Sequence, residues 1–379
     1  MSLFARKLGP KGLNSREVDL DIVRGVAILL AMGWHVNHID TGTTIGSLLL
    51  APAARIGWAG VDLFFVLSGF LIGGMILREY RNTGTFAYRT FLFRRVFRLW
   101  PTLYVFLFAM LLLGGVGWQD FFWQAALHVQ NYVYTKSATH LWSLAVEEHF
   151  YVILGVLMPM AARRLPVERW LPHSLLAVLL ICPLLRLAAV YVGQDPVAIQ
   201  TATHFRLDAL GSGVLLSYVA WRMPEFFKKL LARRMLWAAS LTLALVFLWN
   251  TRKDTGLGQV AGYSVAWLAA IAFILLVYRS GIEHHARPFC LGLAFLGQVS
   301  YPLYLWHVPV ARIAERLAPR ILGNEHPGLA VLIVYTTSIS VAYLVSVGVE
   351  HPFMRLRDAL IPARVAPHSP ATAETVRSV

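Results

Sequence analysis

Arg24 and His35 lie eleven residues apart in the stretch Asp19–His38, DLDIVRGVAILLAMGWHVNH. The stretch reads as a membrane-spanning helix. Eleven residues make just over three turns, so the two side chains face the same way, roughly 16 Å apart along the axis. Ionisable groups inside a span are costly to desolvate and normally face a polar cavity or partner helices. A structural account is also open, with the arginine snorkelling to the interface and the histidine held by a backbone carbonyl. The chemistry on offer is that of a histidine titrating near neutral pH, able to take a proton from a reacting group.

Other polar residues fall at membrane depth. Glu147 and Glu148 are adjacent in WSLAVEEHFY, about two turns inside a span. Adjacent helical residues point roughly 100° apart, so at most one carboxylate can aim at a given site. In FLFRRVFRLWP, Arg95 and Arg98 are three apart and share a helical face at the membrane boundary. They could be ordinary cytoplasmic-side positive charge, or two guanidiniums clamping a phosphate. Asp62, in GVDLFFVLSGFLI, needs a partner, and a cation such as Arg206 would serve as well as a catalytic role. Arg206 and Asp208 do not share a face, so each is expected to pair with another span. Tyr301 and His307 in SYPLYLWH could line a cavity, whereas Tyr304 is expected in the aromatic belt. Glu350 in VEHPF could pair with an inner-boundary arginine. Arg24, Arg95, Arg98 and Glu350 thus form an inner layer, and His35, Asp62, Glu147, Glu148, Arg206, Asp208 and His307 an outer one.

The elements that must position these groups are helices. With 57% hydrophobic and 14% charged residues in 379, the chain is no soluble enzyme. It is expected to be all-α and polytopic, with about ten transmembrane helices near residues 20–38, 57–77, 99–117, 141–162, 172–192, 204–221, 235–250, 260–278, 291–311 and 328–350. The net charge of +14 sits in short clusters between the apolar runs, as topology requires, and offers no surface for nucleic acid. With the N-terminus inside, 24 basic residues fall on inner segments and seven on outer loops. Both ends are therefore expected in the cytoplasm. Residues 1–19 read as a cytoplasmic tail without a signal-peptide cleavage site, 20–354 as the membrane domain, and 355–379 as a disordered cytoplasmic tail. Cys182 and Cys290 have no metal-ligand spacing, and no metal site is expected. The inverted repeat of many transporters is missing.

Taken in order, Arg24-x10-His35, GVDLFFVLSGFLI, Arg95-x-x-Arg98, WSLAVEEHFY, SYPLYLWH and VEHPF make the chain resemble the acyltransferase-3 family, the integral-membrane O-acyltransferases of bacterial glycans and some antibiotics. The six motifs span the whole membrane portion. The resemblance implies a plasma (inner) membrane enzyme without a resident cofactor. It would move a short acyl group, commonly acetyl, from acetyl-CoA or another acyl-CoA to a hydroxyl of a sugar, glycan or similar acceptor. It makes His35 the catalytic histidine, Arg24 its motif partner, and Arg95 and Arg98 donor-binding residues. Glu147 is the family-typical acid, and could orient His35. His149 departs from the glutamine usual in relatives, which leaves the part played by Glu148 and His149 open. Some relatives carry a fused extracytoplasmic hydrolase-like domain. None is expected here, so the chain would acylate the acceptor itself or pass the acyl group to a separate protein. A transporter or flippase of an acyl or glycan carrier is the competing class, but it gives no reason for the paired inner arginines. Nothing in the sequence sets an oligomeric state.

Overall fold

The computed structural model describes residues 15–36, 44–113, 118–133, 138–162, 166–282, 286–322 and 327–361. Among them every regular element is helical. The helices run α1 Ser15–Val36, α2 Thr44–Ile56, α3 Gly60–Thr83, α4 Tyr88–Leu112, α5 Trp118–Ala126, α6 Trp142–Ala162, α7 Val167–Tyr191 and α8 Pro196–Thr201. They continue as α9 Leu207–Arg222, α10 Pro224–Ala232, α11 Arg234–Asn250, α12 Tyr263–Val277, α13 Arg287–Gln298, α14 Ser300–Leu322, α15 Pro327–Val345 and α16 His351–Leu360. In hydrocarbon every backbone group must be satisfied internally, which is why these apolar runs are helices.

Six helices are long and apolar enough to cross a membrane, and eight if each of two bent pairs counts as one span. This is a multi-pass membrane protein. The bent pairs are α10 with α11, at 69°, and α13 with the following stretch Ser300–Leu317, at 79°. The expected span 291–311 is therefore broken at Val299. Pro302 lies just past the break, in the first turn of α14, where a missing N–H costs nothing. Two further expected spans fall on α1 and α9. The first carries Glu17, Asp19, Asp21 and Arg24, and the second has 16 residues. Of the expected tails, residues 1–14 and 362–379 lie outside the described residues, while 355–360 belong to α16.

Two crossings set the frame of the site. A Cβ on Gly69 of α3 would collide with the Leu210 carbonyl of α9, and one on Gly213 of α9 with the Val66 carbonyl of α3. Between α1 and α13, Gly25 abuts the Leu293 carbonyl and Gly297 the Asp21 carbonyl in the same way. Small residues let backbones approach when no hydrophobic force drives helices together in lipid. The acids of α1 tie down its N-terminal half. Asp19 Oδ2 accepts from the Arg279 backbone N–H at 2.6 Å, and Asp21 Oδ2 accepts from Gln298 Nε2 at 3.4 Å. Gly84, in the left-handed region at φ 69°, ends α3 and turns the chain into α4.

Candidate active site

Helices α1, α3, α4, α6 and α14 enclose a cavity of about 300 Å³. Arg24, Arg95 and Arg98 line one end, with Tyr151 beside them. Phe64, Ser143 and Tyr304 line the other, and Ser68 and Glu147 stand between. The structure thus brings together five residues scattered over 278 positions of sequence: Arg24, Arg95, Arg98, Glu147 and Tyr301. Arg95 and Arg98 sit on one face of α4, whose helix begins at Tyr88 and so includes what sequence reading treats as a loop.

The arginines of this molecule fall into two sets. Away from the cavity, Arg206 Nη2 lies 2.6 Å from Asp62 Oδ1, and Arg186 Nη2 lies 2.8 Å from Asp208 Oδ2. All four side chains are buried. Arg186 also donates to the Phe205 carbonyl at 2.6 Å and to Ser264 Oγ at 2.8 Å, and the Arg206 guanidinium stacks on Tyr263, 3.8 Å from its ring centre. Charges buried this deep are kept by partners. At the cavity, Arg24 pairs with Asp21 at 2.6 Å. Arg95 and Arg98, by contrast, form no ion pair among the described residues. The Arg95 guanidinium lies over Tyr151, 5.2 Å from the ring centre. Arg98 Nε is buried without a hydrogen-bond partner. Two guanidiniums without a direct ion pair, on the wall of a cavity that also holds the Glu147 carboxylate, have hydrogen-bond donors to spare for an anion.

Glu147 is held inside the cavity by two hydroxyls. Ser68 Oγ donates to Oε1 at 3.0 Å, and the Tyr151 hydroxyl donates to Oε2 at 2.9 Å. Glu148 does not line the cavity. Next along α6, His149 turns away, its Nδ1 lying 2.7 Å from Thr203 Oγ1. Tyr301 closes the α4 side, donating its hydroxyl to the Leu99 carbonyl at 2.7 Å. Glu350 accepts from Ser346 Oγ at 3.1 Å.

His35 does not line the cavity. It lies in a three-histidine cluster directly behind Tyr304. Ring centres of His35 and His307 are 5.0 Å apart, of His35 and His140 6.1 Å, and of Tyr304 and His307 5.6 Å. Tyr304 separates the two spaces. Its hydroxyl donates to the His140 carbonyl at 2.6 Å, so the Ser143 hydroxyl, 2.8 Å away, must donate to Tyr304. Hydrogen bonds also assign the protons on the imidazoles. His307 Nδ1 lies 2.8 Å from the Tyr304 carbonyl and 3.2 Å from that of Leu303, so it carries the hydrogen, and Nε2 is an acceptor. His35 Nδ1 lies 2.8 Å from the Ala31 carbonyl and 3.2 Å from His307 Nε2. Both neighbours accept, so His35 holds its proton on Nδ1, and Nε2 carries the lone pair.

Sequence reasoning placed Glu147 as the orienting partner of His35. In the structure Glu147 serves Ser68 and Tyr151, whereas His35 meets Ala31, His140 and His307. Asp62, Arg206 and Asp208, offered as pocket residues, belong to the ion-pair network, not the cavity lining. His140 was missed. Its one signal in the sequence is its place immediately before the LWSLAVEEHFY motif. Among the described residues no group of three or more His, Cys, Asp or Glu side chains is arranged to hold a metal ion.

The acyltransferase-3 family, described as an acyltransferase domain, matches residues 17–347. The chain belongs to this family. It is similar to the candidate peptidoglycan O-acetyltransferase YrhL of Bacillus subtilis, 28% identical over 324 residues, which cover 77% of this chain and 48% of that protein. It is 27% identical over 319 residues to a candidate O-acetyltransferase of Staphylococcus aureus strain N315, covering 77% and 50%. To the peptidoglycan O-acetyltransferase OatA of Listeria monocytogenes it is 26% identical over 331 residues, covering 77% and 49%. The chain spans about half the length of these curated relatives. No solved structure matches it significantly. A membrane-embedded acyltransferase domain is the class that these findings define.

Proposed function

We propose that the protein transfers a short acyl group, acetyl above all, from acyl-CoA to a hydroxyl of a glycan or related sugar acceptor. The observation that carries this reading is the cavity with unpaired Arg95 and Arg98 at one end and the Tyr304–histidine layer at the other. The donor would lie along it, its phosphates on Arg95 and Arg98 with Arg24 adding positive potential, and its thioester toward Tyr304. Movement of the Tyr304 ring would join the thioester to His35.

The thioester is already activated, so the chain needs only to take a proton and stabilise an oxyanion. His35 Nε2 would remove the acceptor hydroxyl proton while the oxygen attacks the thioester carbonyl. The tetrahedral intermediate would collapse by breaking the carbon–sulfur bond, and the departing thiolate would take the proton from His35 to leave as the CoA thiol. His307 would orient His35 through Nδ1, the part a carboxylate plays in a Ser-His-Asp triad. Glu147, clasped by Ser68 and Tyr151, would shape the middle of the donor channel. Glycan O-acetylation is supported by the names of the Bacillus subtilis and Listeria monocytogenes relatives, which name peptidoglycan.

The same reading sets the topology. Ten crossings, comprising the six apolar spans, the two bent pairs, α1 and α9, would put both termini in the cytoplasm of a cell whose inner membrane holds the protein. Arg95 and Arg98 would then face the cytoplasmic pool of acyl-CoA. The test is to incubate purified protein in detergent with acetyl-CoA and a soluble glycan fragment and follow thiol release. Release that rises with acceptor supports the reading. The absence of both thiol release and acetyl-CoA binding would contradict it.

A further inference from the structure

At the end of the bundle opposite Arg95 and Arg98 lies a second cleft of about 230 Å³, between residues 130–133 and 139–142 on one side and the α7–α8 connection on the other. Gln130, Asn131, Tyr132, Trp142, Asp195 and His204 line it. Gln130 and Asn131 are 7% and 4% exposed. Their amide nitrogens are used: Gln130 Nε2 donates to the Leu141 carbonyl at 3.0 Å, and Asn131 Nδ2 to Thr203 Oγ1 at 2.8 Å. Their amide oxygens are not, since Gln130 Oε1 and Asn131 Oδ1 are buried without a hydrogen-bond partner. Buried acceptors left open are costly unless a donor arrives to fill them.

The complementary ligand must donate hydrogen bonds. With Asp195 in the same wall an anion is repelled, so this cleft is no second phosphate site. Tyr132, 54% exposed, is stacked on His204 with ring planes 17° apart and is braced by its hydroxyl, 3.2 Å from His204 Nδ1. It offers a fixed aromatic face beside the amide oxygens. A neutral ring with hydroxyl donors on its edge and an apolar face matches both features, and a bare cation would not use the aromatic face. The volume falls below the roughly 300 Å³ at which pockets for drug-sized ligands begin, which suits a single sugar ring. The cleft also stands against the catalytic layer. In the turn Thr139–Trp142, Thr139 and Trp142 line the cleft while His140 faces His35 and His307.

We infer that this cleft is a saccharide subsite that grips one sugar unit of the acceptor and so sets which hydroxyl reaches His35. This rests on the acyltransferase reading, but its binding step can be measured without donor. The probe is the uncharged disaccharide of N-acetylglucosamine, observed by saturation-transfer NMR with the full chain in detergent. Transfer to sugar protons is expected from the unsubstituted protein. It should fall at least tenfold in Tyr132→Ala and Gln130→Leu, with melting temperatures showing both folded. In turnover, the same substitutions should raise the acceptor KM at least tenfold and leave the acyl-CoA KM unchanged. No transfer from the unsubstituted protein, or transfer undiminished in both folded variants, would overturn the subsite. A chain that binds the disaccharide through these residues yet never consumes acyl-CoA would support the subsite and contradict the acyltransferase reading.

Discussion

The contrast between paired and unpaired arginines is the most informative feature at the scale of single residues. Arg186 and Arg206 are buried with carboxylates and hydrogen-bond partners, and hold helices together. Arg98 lines the cavity and forms no ion pair among the described residues, at the place proposed above for the donor's phosphates. A hydrogen bond to a charged group contributes about 1.5–3 kcal/mol, which is roughly ten- to a hundredfold in affinity. Arg98→Ala should therefore raise the acyl-CoA KM by that factor while the acceptor KM stays put. Steady-state kinetics with both substrates varied would show it, and the reverse pattern would remove Arg98 from the donor site. Sequence alone could weigh Arg98 against ordinary inner-face positive charge but not decide. The structure adds that the nearby carboxylates, Glu147 and Glu350, form no ion pair with it among the described residues, which follows from three-dimensional packing.

At the scale of elements, helix crossings fix the distances the chemistry needs. The α3–α9 contact at Gly69 and Gly213 carries Ser68 on one side and the Asp62–Arg206 pair on the other. Overpacking such a contact costs about 1–3 kcal/mol, so Gly213→Ala should lower the melting temperature in detergent by several degrees. An unchanged melting temperature would mean that the crossing is looser than the backbone contacts imply. The apolar periods made nearly every helix legible, because a lipid-solvated backbone has no alternative. They could not show the break at Val299, since a bent pair and a straight span have the same hydropathy. Nor could they place Tyr304. Judged by its type near a boundary it belongs to an aromatic belt, whereas the bend buries it between the arginine-lined cavity and the histidines.

For the whole molecule, two spaces lie on opposite sides of one polar layer. Positive charge bounds the first, and unpaired amide oxygens the second. The layer itself is assembled from His35, His140 and His307, residues 272 apart at the extremes. No spacing rule links them, which is why only His35 and His307 could be singled out, each inside its own motif, and why His140 went unseen. The orientation makes a direct prediction. A cysteine at exposed Asn82, in the last turn of α3 beside the arginine end, should react with an impermeant maleimide only after the cells are opened. One at exposed Gln194, in the α7–α8 connection, should react in intact spheroplasts. The opposite labelling would invert the protein and put the cation-lined cavity out of reach of cytoplasmic acyl-CoA.

The central claim is that donor binding and proton transfer are separate tasks on either side of Tyr304, with His35 performing the second. His35→Ala tests it when acetyl-CoA binding and acyl transfer are measured on the same purified sample. A general base contributes about 10²–10⁴-fold to rate. The variant should bind acetyl-CoA as the unsubstituted protein does and lose transfer by at least the lower of those factors. Transfer close to the original rate, or loss of donor binding together with transfer, would contradict the account.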